Sequence, residues 1–256
     1  MGLRELASHL SRGVVLRRRL PRQFGRLPIY VTPEAALRYW FAMSRVDPVL
    51  YGMAEELVHP GAKVWDIGAN VGLFSFCAAA RAGPSGFVLS IEPDAWLAHL
   101  IQCSSRGLDG YPSSRVEVLC AAVSDSSQVL KLEIARGTRA SNRLLAPSQA
   151  ADSLVLQPTV ALSLDMLLEY FSPPSVVKID VERHEISVLK GATRMLQEVR
   201  PTIWCEVSPE NSTEATTLFK AAGYELYGAQ TRPHPRADRA WFHTLAIPIE
   251  SRNHPT

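Results

Sequence analysis

Two acids that each close an apolar run, Asp66 and Glu92, carry the clearest chemistry in this 256-residue chain, and a glycine-rich turn lies between them. Lys63-Val64-Trp65-Asp66-Ile67 reads as a short strand, Gly68-Ala69-Asn70-Val71-Gly72 as the turn, and LFSFCAAARA as the helix that the turn opens. Glycine there lets the backbone bend tightly and approach a ligand with no side chain between them. The helix beyond offers unpaired N–H groups and the positive end of its dipole, a place suited to a carboxylate.

S-adenosylmethionine carries such a carboxylate, and its ammonium would find backbone carbonyls or Asp66. Asp66, Gly68, Asn70 and Gly72 are therefore candidate cofactor residues. Glu92 ends the next run, FVLSIE, about 20 residues on, where an acid accepts hydrogen bonds from both ribose hydroxyls. At a third run end, Ala121-Ala122-Val123-Ser124-Asp125, small residues admit a flat ring. Ala122, Ser124 and Asp125 are candidates for the adenine, with an ordinary buried strand end as the alternative. A nicotinamide dinucleotide fits less well, because GxGxxG fails at Asn70 and Leu73 and the strand ends in an acid that would repel a pyrophosphate.

A fourth run, Ser175-Val176-Val177-Lys178-Ile179-Asp180, leads into Val181-Glu182-Arg183-His184-Glu185. Charges so dense beside a core strand are costly unless they serve a site or pair with one another.

The elements that must position these residues alternate. Strand, helix, strand, helix, strand over residues 63–125 imply parallel strands with right-handed crossovers. LSLDMLLEY then reads as a short helix, SVVKID as a strand, EISVLKGATRMLQEV as a helix, PTIWCEV as a strand and STEATTLFKAAG as a helix. YELYG and AWFHTLAIP close the series as antiparallel strands. The expected architecture is a doubly wound, mostly parallel α/β sheet of seven strands with N-terminal helices. Those helices are EAALRYWFAMSR and DPVLYGMAEELV, the second opened by Asp47 as cap and Pro48 in its first turn. The expected layout is a basic arm over 1–30 and one domain over 31–256, with a helical cap to residue 60 and a core over 61–250. An insertion near 126–160 contains a hairpin strand and a loop.

DIGANVG, SIEP, AAVSD, LSLDMLL, KIDVExxExxVLKGA and RPTIWCEV, in that order, resemble the successive motifs of the FkbM methyltransferases over roughly residues 47–210. The resemblance implies a Rossmann-like class I methyltransferase fold, S-adenosylmethionine at Asp66, Gly68, Asn70, Gly72 and Glu92, and an acceptor site near Asp180 and Glu182. It also implies methylation of a hydroxyl on a small molecule, natural product, sugar or glycolipid. Asp180, Glu182 or His184 then receives the hydroxyl proton, with Glu206 shaping the pocket and His184 alternatively an exposed bystander. The helices before residue 60, the loop 135–153 and the segment TRPHPRADRA over 231–240 are expected to line that pocket. Carboxylates at Asp180, Glu182 and Glu206 also suit Mg²⁺. Arg183 stands where the family usually has glycine. If that position takes positive φ, the turn is strained by roughly 1–2 kcal/mol, and a degenerate fold that binds without turnover is the alternative function.

Composition limits the other classes. Residues 1–30 hold seven arginines against Glu5 alone, which leaves residues 31–256 net negative by four and argues against a nucleic-acid surface spread over the fold. A [DNS]PP-aromatic tetrad is missing after the fourth strand, and no Pro-Cys dipeptide occurs. The arm suggests either a solvated segment or a short amphipathic helix through Leu3, Leu6, Ala7, Leu10 and Val14 in peripheral contact with an anionic membrane. Cys77, Cys103, Cys120 and Cys205 are scattered without metal spacing, and no apolar run approaches ~20 residues, so a cytoplasmic protein with free thiols is expected.

Overall fold

The computed structural model describes residues 11–253 apart from 12, 42, 136–137 and 146–154. The chain enters through an antiparallel hairpin, β1 (Leu16–Arg19) and β2 (Pro28–Val31). Leu20, Phe24, Leu27, Ile29 and Val31 are buried, so residues 16–31 pack against the body where an arm was expected. The amphipathic helix expected from Leu3 to Val14 lies mostly outside the described residues.

Residues 34–45 also depart from expectation. They form two short 3-10 turns, Leu37–Trp40 and Met43–Arg45, in place of a helix. Tyr39, Met43 and Val46 are buried while Trp40 and Phe41 stay outside, so packing overrides the helical pattern. Helix α1 (Pro48–Leu57) follows as read, with Asp47 Oδ1 accepting the N–H of Leu50 at 3.0 Å.

The core alternates as expected: β3 (Lys63–Ile67), α2 (Leu73–Ala82), β4 (Phe87–Ile91), α3 (Ala95–Arg106) and β5 (Arg115–Leu119). Here the third strand splits. After β5 the chain leaves the main sheet, and β6 (Ala122–Val123) pairs with β9 (Leu156–Leu162) in a second sheet. That sheet runs β6-β9-β7-β8, with β7 (Gln128–Glu133) and β8 (Arg143–Leu145), and it is the form the insertion takes. Helix α4 (Leu164–Leu167), β10 (Val176–Ile179), α5 (Glu185–Lys190) and β11 (Thr202–Glu206) return to the core, followed by α6 (Ser212–Ala221), β12 (Tyr224–Gly228), β13 (Arg236–Ala237) and β14 (His243–Pro248). The single helix expected over 185–199 breaks after Lys190, where a Cβ on Gly191 would meet the Ser124 carbonyl oxygen at 2.1 Å.

The main sheet has the order β13-β12-β14-β11-β10-β3-β4-β5, eight strands where seven were expected, the extra one being the two-residue edge β13. Strands β11, β10, β3, β4 and β5 are mutually parallel, and β12, β13 and β14 pair antiparallel. Chain order reverses between β3 and β10, the place where ligands bind in open α/β sheets. Alternate residues serve opposite faces: Val64 joins the core under α2 and α3, while Trp65 and Ile67 join the core under α5 and α6.

Candidate active site

A cavity of about 450 Å³ lies at the carboxyl ends of β3, β4, β10 and β11. One part of its wall is built by the glycine turn and by Glu92, which is 5% exposed. Glu92 Oε2 accepts the N–H of Asn70 at 2.7 Å, and Oε1 accepts that of Asp94 at 2.9 Å. Burial pushes the Glu92 carboxyl up to about 8, against the pull of these two donors. Asn70 sits at φ 56, and its side-chain oxygen is buried in the cavity wall without a partner. Leu97, Ala121, Ala122 and Val123 supply an apolar wall beside this polar corner.

The rest of the wall is charged. Asp180 and Glu182 leave β10, Glu206 ends β11, and Asp47 caps α1 beside Arg38, its ion-pair partner at 3.0 Å. Burial, then the charge of Asp180, raises the Glu206 carboxyl to about 8. Glu206 Oε1 lies 3.4 Å from His243 Nδ1, and the His243 ring stacks on Trp204 with centroids 5.6 Å apart. Burial lowers the pKa of His243 although Asp180 and Asp47 favour its charged form. Glu182 is exposed; desolvation, Asp180 and Glu185 all raise its carboxyl.

Beneath both parts runs a buried lysine. Lys178 is 2% exposed, and its Nζ lies 3.1 Å from Asp66 Oδ1, 3.3 Å from Asp180 Oδ2 and 2.8 Å from the Gly68 carbonyl oxygen that it bonds. Burial alone would discharge this ammonium, but Asp66 and then Asp180 hold it, so its pKa lies above the ordinary lysine value. A strap from the second sheet closes the cavity. Arg139 Nη1 donates to Asp94 Oδ2 at 2.5 Å and its Nε to Glu34 Oε2 at 3.0 Å, while Asn142 Nδ2 donates to Asp94 Oδ2 at 2.8 Å.

The family model of the Methyltransferase FkbM domain matches residues 66–226, more than half of the chain and all the strand ends just described except that of β14. The chain belongs to the FkbM methyltransferase family. Among solved structures this FkbM-family chain is similar to the methyltransferase FkbM of Methylobacillus flagellatus, with TM-score 0.50 and 16% identity over 77% of this chain and 50% of that one. It thus spans half the length of that relative. It is also similar to a SAM-dependent methyltransferase of Aquifex aeolicus, with TM-score 0.45 and 14% identity over 84% of this chain and 98% of that one. For a SAM-dependent O-methyltransferase of Thermotoga maritima the TM-score is 0.43 and the identity 14%, over 78% of this chain and 64% of that one. The comparison with curated proteins gives no match. The fold is the Rossmann-like class I methyltransferase fold.

Within that fold, Gly68, Asn70, Glu92, Ala122, Asp180, Glu182 and His184 all line one cavity, as does Glu206. Four other candidates do not reach it. Asp66 is fully buried, taking the Ser75 hydroxyl at 2.6 Å and the Lys178 ammonium, so it serves the sheet. Gly72, at φ 81, caps α2, and a Cβ there would meet the Phe76 ring at 2.9 Å. Ser124 is buried against His184 Nε2 at 3.1 Å, and Asp125 accepts hydrogen bonds from Ser126 and Gln128 at the surface, because the chain turns into the second sheet just before them. Gly68 has a reason beyond ligand approach: at φ 75, a Cβ would lie 1.9 Å from the Asp180 carbonyl oxygen. His184 is a half-buried wall residue, not an exposed bystander, and burial lowers its pKa.

Sequence reasoning missed Lys178 and His243; it expected the loop 135–153 at the pocket, where Arg139 and Asn142 stand, without singling out either side chain. A lysine inside an apolar strand beside two acids is a signal that could have found the first. The strap residues lie in a polar loop with no pattern. Segment 231–240, expected to line the pocket, does not; it forms β13 and ties Arg232 and His234 to Glu56 at 2.7 Å each. Mg²⁺ finds no support, since no group of three or more His, Cys, Asp or Glu side chains is placed to hold a metal among the described residues. The Lys178 ammonium occupies the cation position beside Asp180.

Proposed function

We propose that this chain transfers the methyl group of S-adenosylmethionine to a hydroxyl of a small molecule, with a natural product, a sugar or a glycolipid as the acceptor class. The observation that carries the reading is the pairing in one cavity of a donor corner, Glu92 with Asn70, and a carboxylate wall, Asp180 with Glu206. The residues present fit the cofactor. Asn70 Oδ1 is a buried acceptor that lacks a donor, and the cofactor brings an ammonium and two ribose hydroxyls. Glu92 would take the ribose, Asn70 and the Gly68 turn the amino-acid end, and Ala121, Ala122 and Leu97 the adenine.

When bound, S-adenosylmethionine supplies an activated methyl group on a good leaving group. The chain therefore has to align the acceptor oxygen, which contributes up to ~7–11 kcal/mol, and to take its proton, which adds a factor of ~10²–10⁴. Lys178 fixes Asp180 at the wall, where its carboxylate orients the acceptor hydroxyl. Asp180 receives the proton with Glu206 beside it, and Glu206, at about 8, is matched to exchange protons near neutrality. His184, neutral and bonded to Ser124, and Glu182 frame the entrance. Incubation with radiolabelled S-adenosylmethionine and a panel of hydroxylated sugars, polyketides and glycolipids tests the reading. Label transferred to an oxygen supports it; donor binding without transfer to any hydroxyl refutes it.

A further inference from the structure

We propose that the β1–β2 hairpin and the turn packed beside it form a docking surface for a bilayer rich in anionic phospholipid. Arg17, Arg18, Arg19 and Arg26 line an open groove with Trp40, Phe41 and Met43. No ion pair to any of these four arginines occurs among the described residues, whereas Arg115, Arg183 and Arg236 elsewhere on the surface are paired with Glu117, Glu210 and Glu225. Their hydrogen bonds go to neutral groups: Arg18 to the Trp40 carbonyl at 3.5 Å, Arg19 to the Arg26 carbonyl at 3.3 Å and to the Tyr111 hydroxyl at 2.8 Å. Arg18 Nε is buried with no partner. The groove therefore holds four cationic side chains whose charge the protein leaves uncompensated.

The same groove carries apolar bulk. Trp40 is 42% and Phe41 73% exposed, adjacent in sequence on a turn outside the core. A contiguous exposed aromatic pair bordered by arginines suits the headgroup boundary, where the indole sits among headgroups, the phenyl reaches the acyl region and the guanidinium groups meet phosphate. A polynucleotide extending beyond the groove would meet a body, residues 31–256, that is net negative by four; a membrane plane touches only the face that docks on it. Charge complementarity thus selects the bilayer. The turn Leu37–Trp40 has two sides, since Arg38 lines the cavity while Trp40 lines the groove. Docking would hold one wall of the active site at the membrane.

The test is co-sedimentation of the full chain with vesicles of phosphatidylcholine alone and of phosphatidylcholine with phosphatidylserine. Binding only to the second, weakened by salt, is expected. Arg17→Glu and Phe41→Ser change exposed side chains, and circular dichroism with a melting curve checks that each variant folds. Removing one arginine charge lowers vesicle affinity about fivefold, more for the reversal, and Phe41→Ser lowers it without changing the salt dependence. Equal binding to neutral vesicles, wild-type binding by both variants, or retention on single-stranded RNA in preference to the vesicles would overturn the proposal.

Discussion

Lys178 Nζ stands 3.1 Å from Asp66 Oδ1 across the point where strand order reverses, and the two residues are register partners on β10 and β3. Both are almost fully buried, so the pair fixes the two strand ends that carry the glycine turn and Asp180. Removing one partner strands a charge in the sheet. Lys178→Met is expected to destabilise the fold by about 3–5 kcal/mol, read by chemical denaturation. A loss under about 1 kcal/mol would mean that Asp66 is not held by this lysine.

This pair also shows what a sequence conceals. Strands β3 and β4, helices α1, α2 and α3 and the closing antiparallel strands were legible because apolar runs with caps and glycines mark them locally. Glu92 and the turn were legible for the same reason. That Asp66 meets Lys178 was not legible, because an acid at a strand end looks alike whether it faces a ligand or a lysine on the next strand. The loop of Arg139 and Asn142 was expected at the pocket, but their bonds to Asp94 were hidden because that partner lies more than 40 residues away in the chain.

Glu92 is expected to govern donor affinity. Replacing it with Gln turns one of its two acceptor oxygens into a donor and leaves a ribose hydroxyl without its acceptor, worth about 1–3 kcal/mol, so Glu92→Gln should weaken S-adenosylhomocysteine binding about fivefold or more by calorimetry. Unchanged affinity would remove Glu92 from the cofactor site.

Stability should fall as pH rises. Glu92 and Glu206 both have folded pKa values of about 8 against 4.5 for the free group, so the folded state binds more protons than the unfolded one between those values. Their contribution is full below about pH 4.5 and is lost as pH climbs to about 8. Melting temperature over that window should decline, and Glu206→Gln should flatten the decline. A melting temperature that rises over the same range in the wild type, and is unaltered in the variant, contradicts the shifts.

Turnover should respond in the opposite sense, because ionised Glu206 is the competent partner of Asp180. The rate is expected to climb toward about pH 8 and to lose that limb in Glu206→Gln. An unchanged pH profile would leave Glu206 only a shaping role.

The strap should act on binding. Arg139 joins Asp94, two residues past Glu92, to Glu34 near the hairpin. Arg139→Ala leaves Asp94 only Asn142 on that oxygen, and the donor KM is expected to rise about tenfold with kcat little changed. A fall in kcat alone would point to chemistry and away from closure of the cavity.

Arg183 replaces the family's usual glycine at φ 62, so the left-handed turn is real and carries a strain of roughly 1–2 kcal/mol. Its side chain lies outside the cavity, 3.3 Å from Glu210 with both groups more than half exposed, and such a pair adds little. Glycine would relieve the strain but gain freedom in the unfolded chain worth about 0.5–1 kcal/mol. Arg183→Gly should therefore stabilise the protein by about 0–1.5 kcal/mol and leave turnover as it was. Because Arg183 was the sole sequence feature favouring a degenerate, non-catalytic fold, a large gain of methyl transfer in this variant would reverse that judgement, whereas unchanged kinetics with a slightly higher melting temperature would mark the arginine as a tolerated strain at the rim.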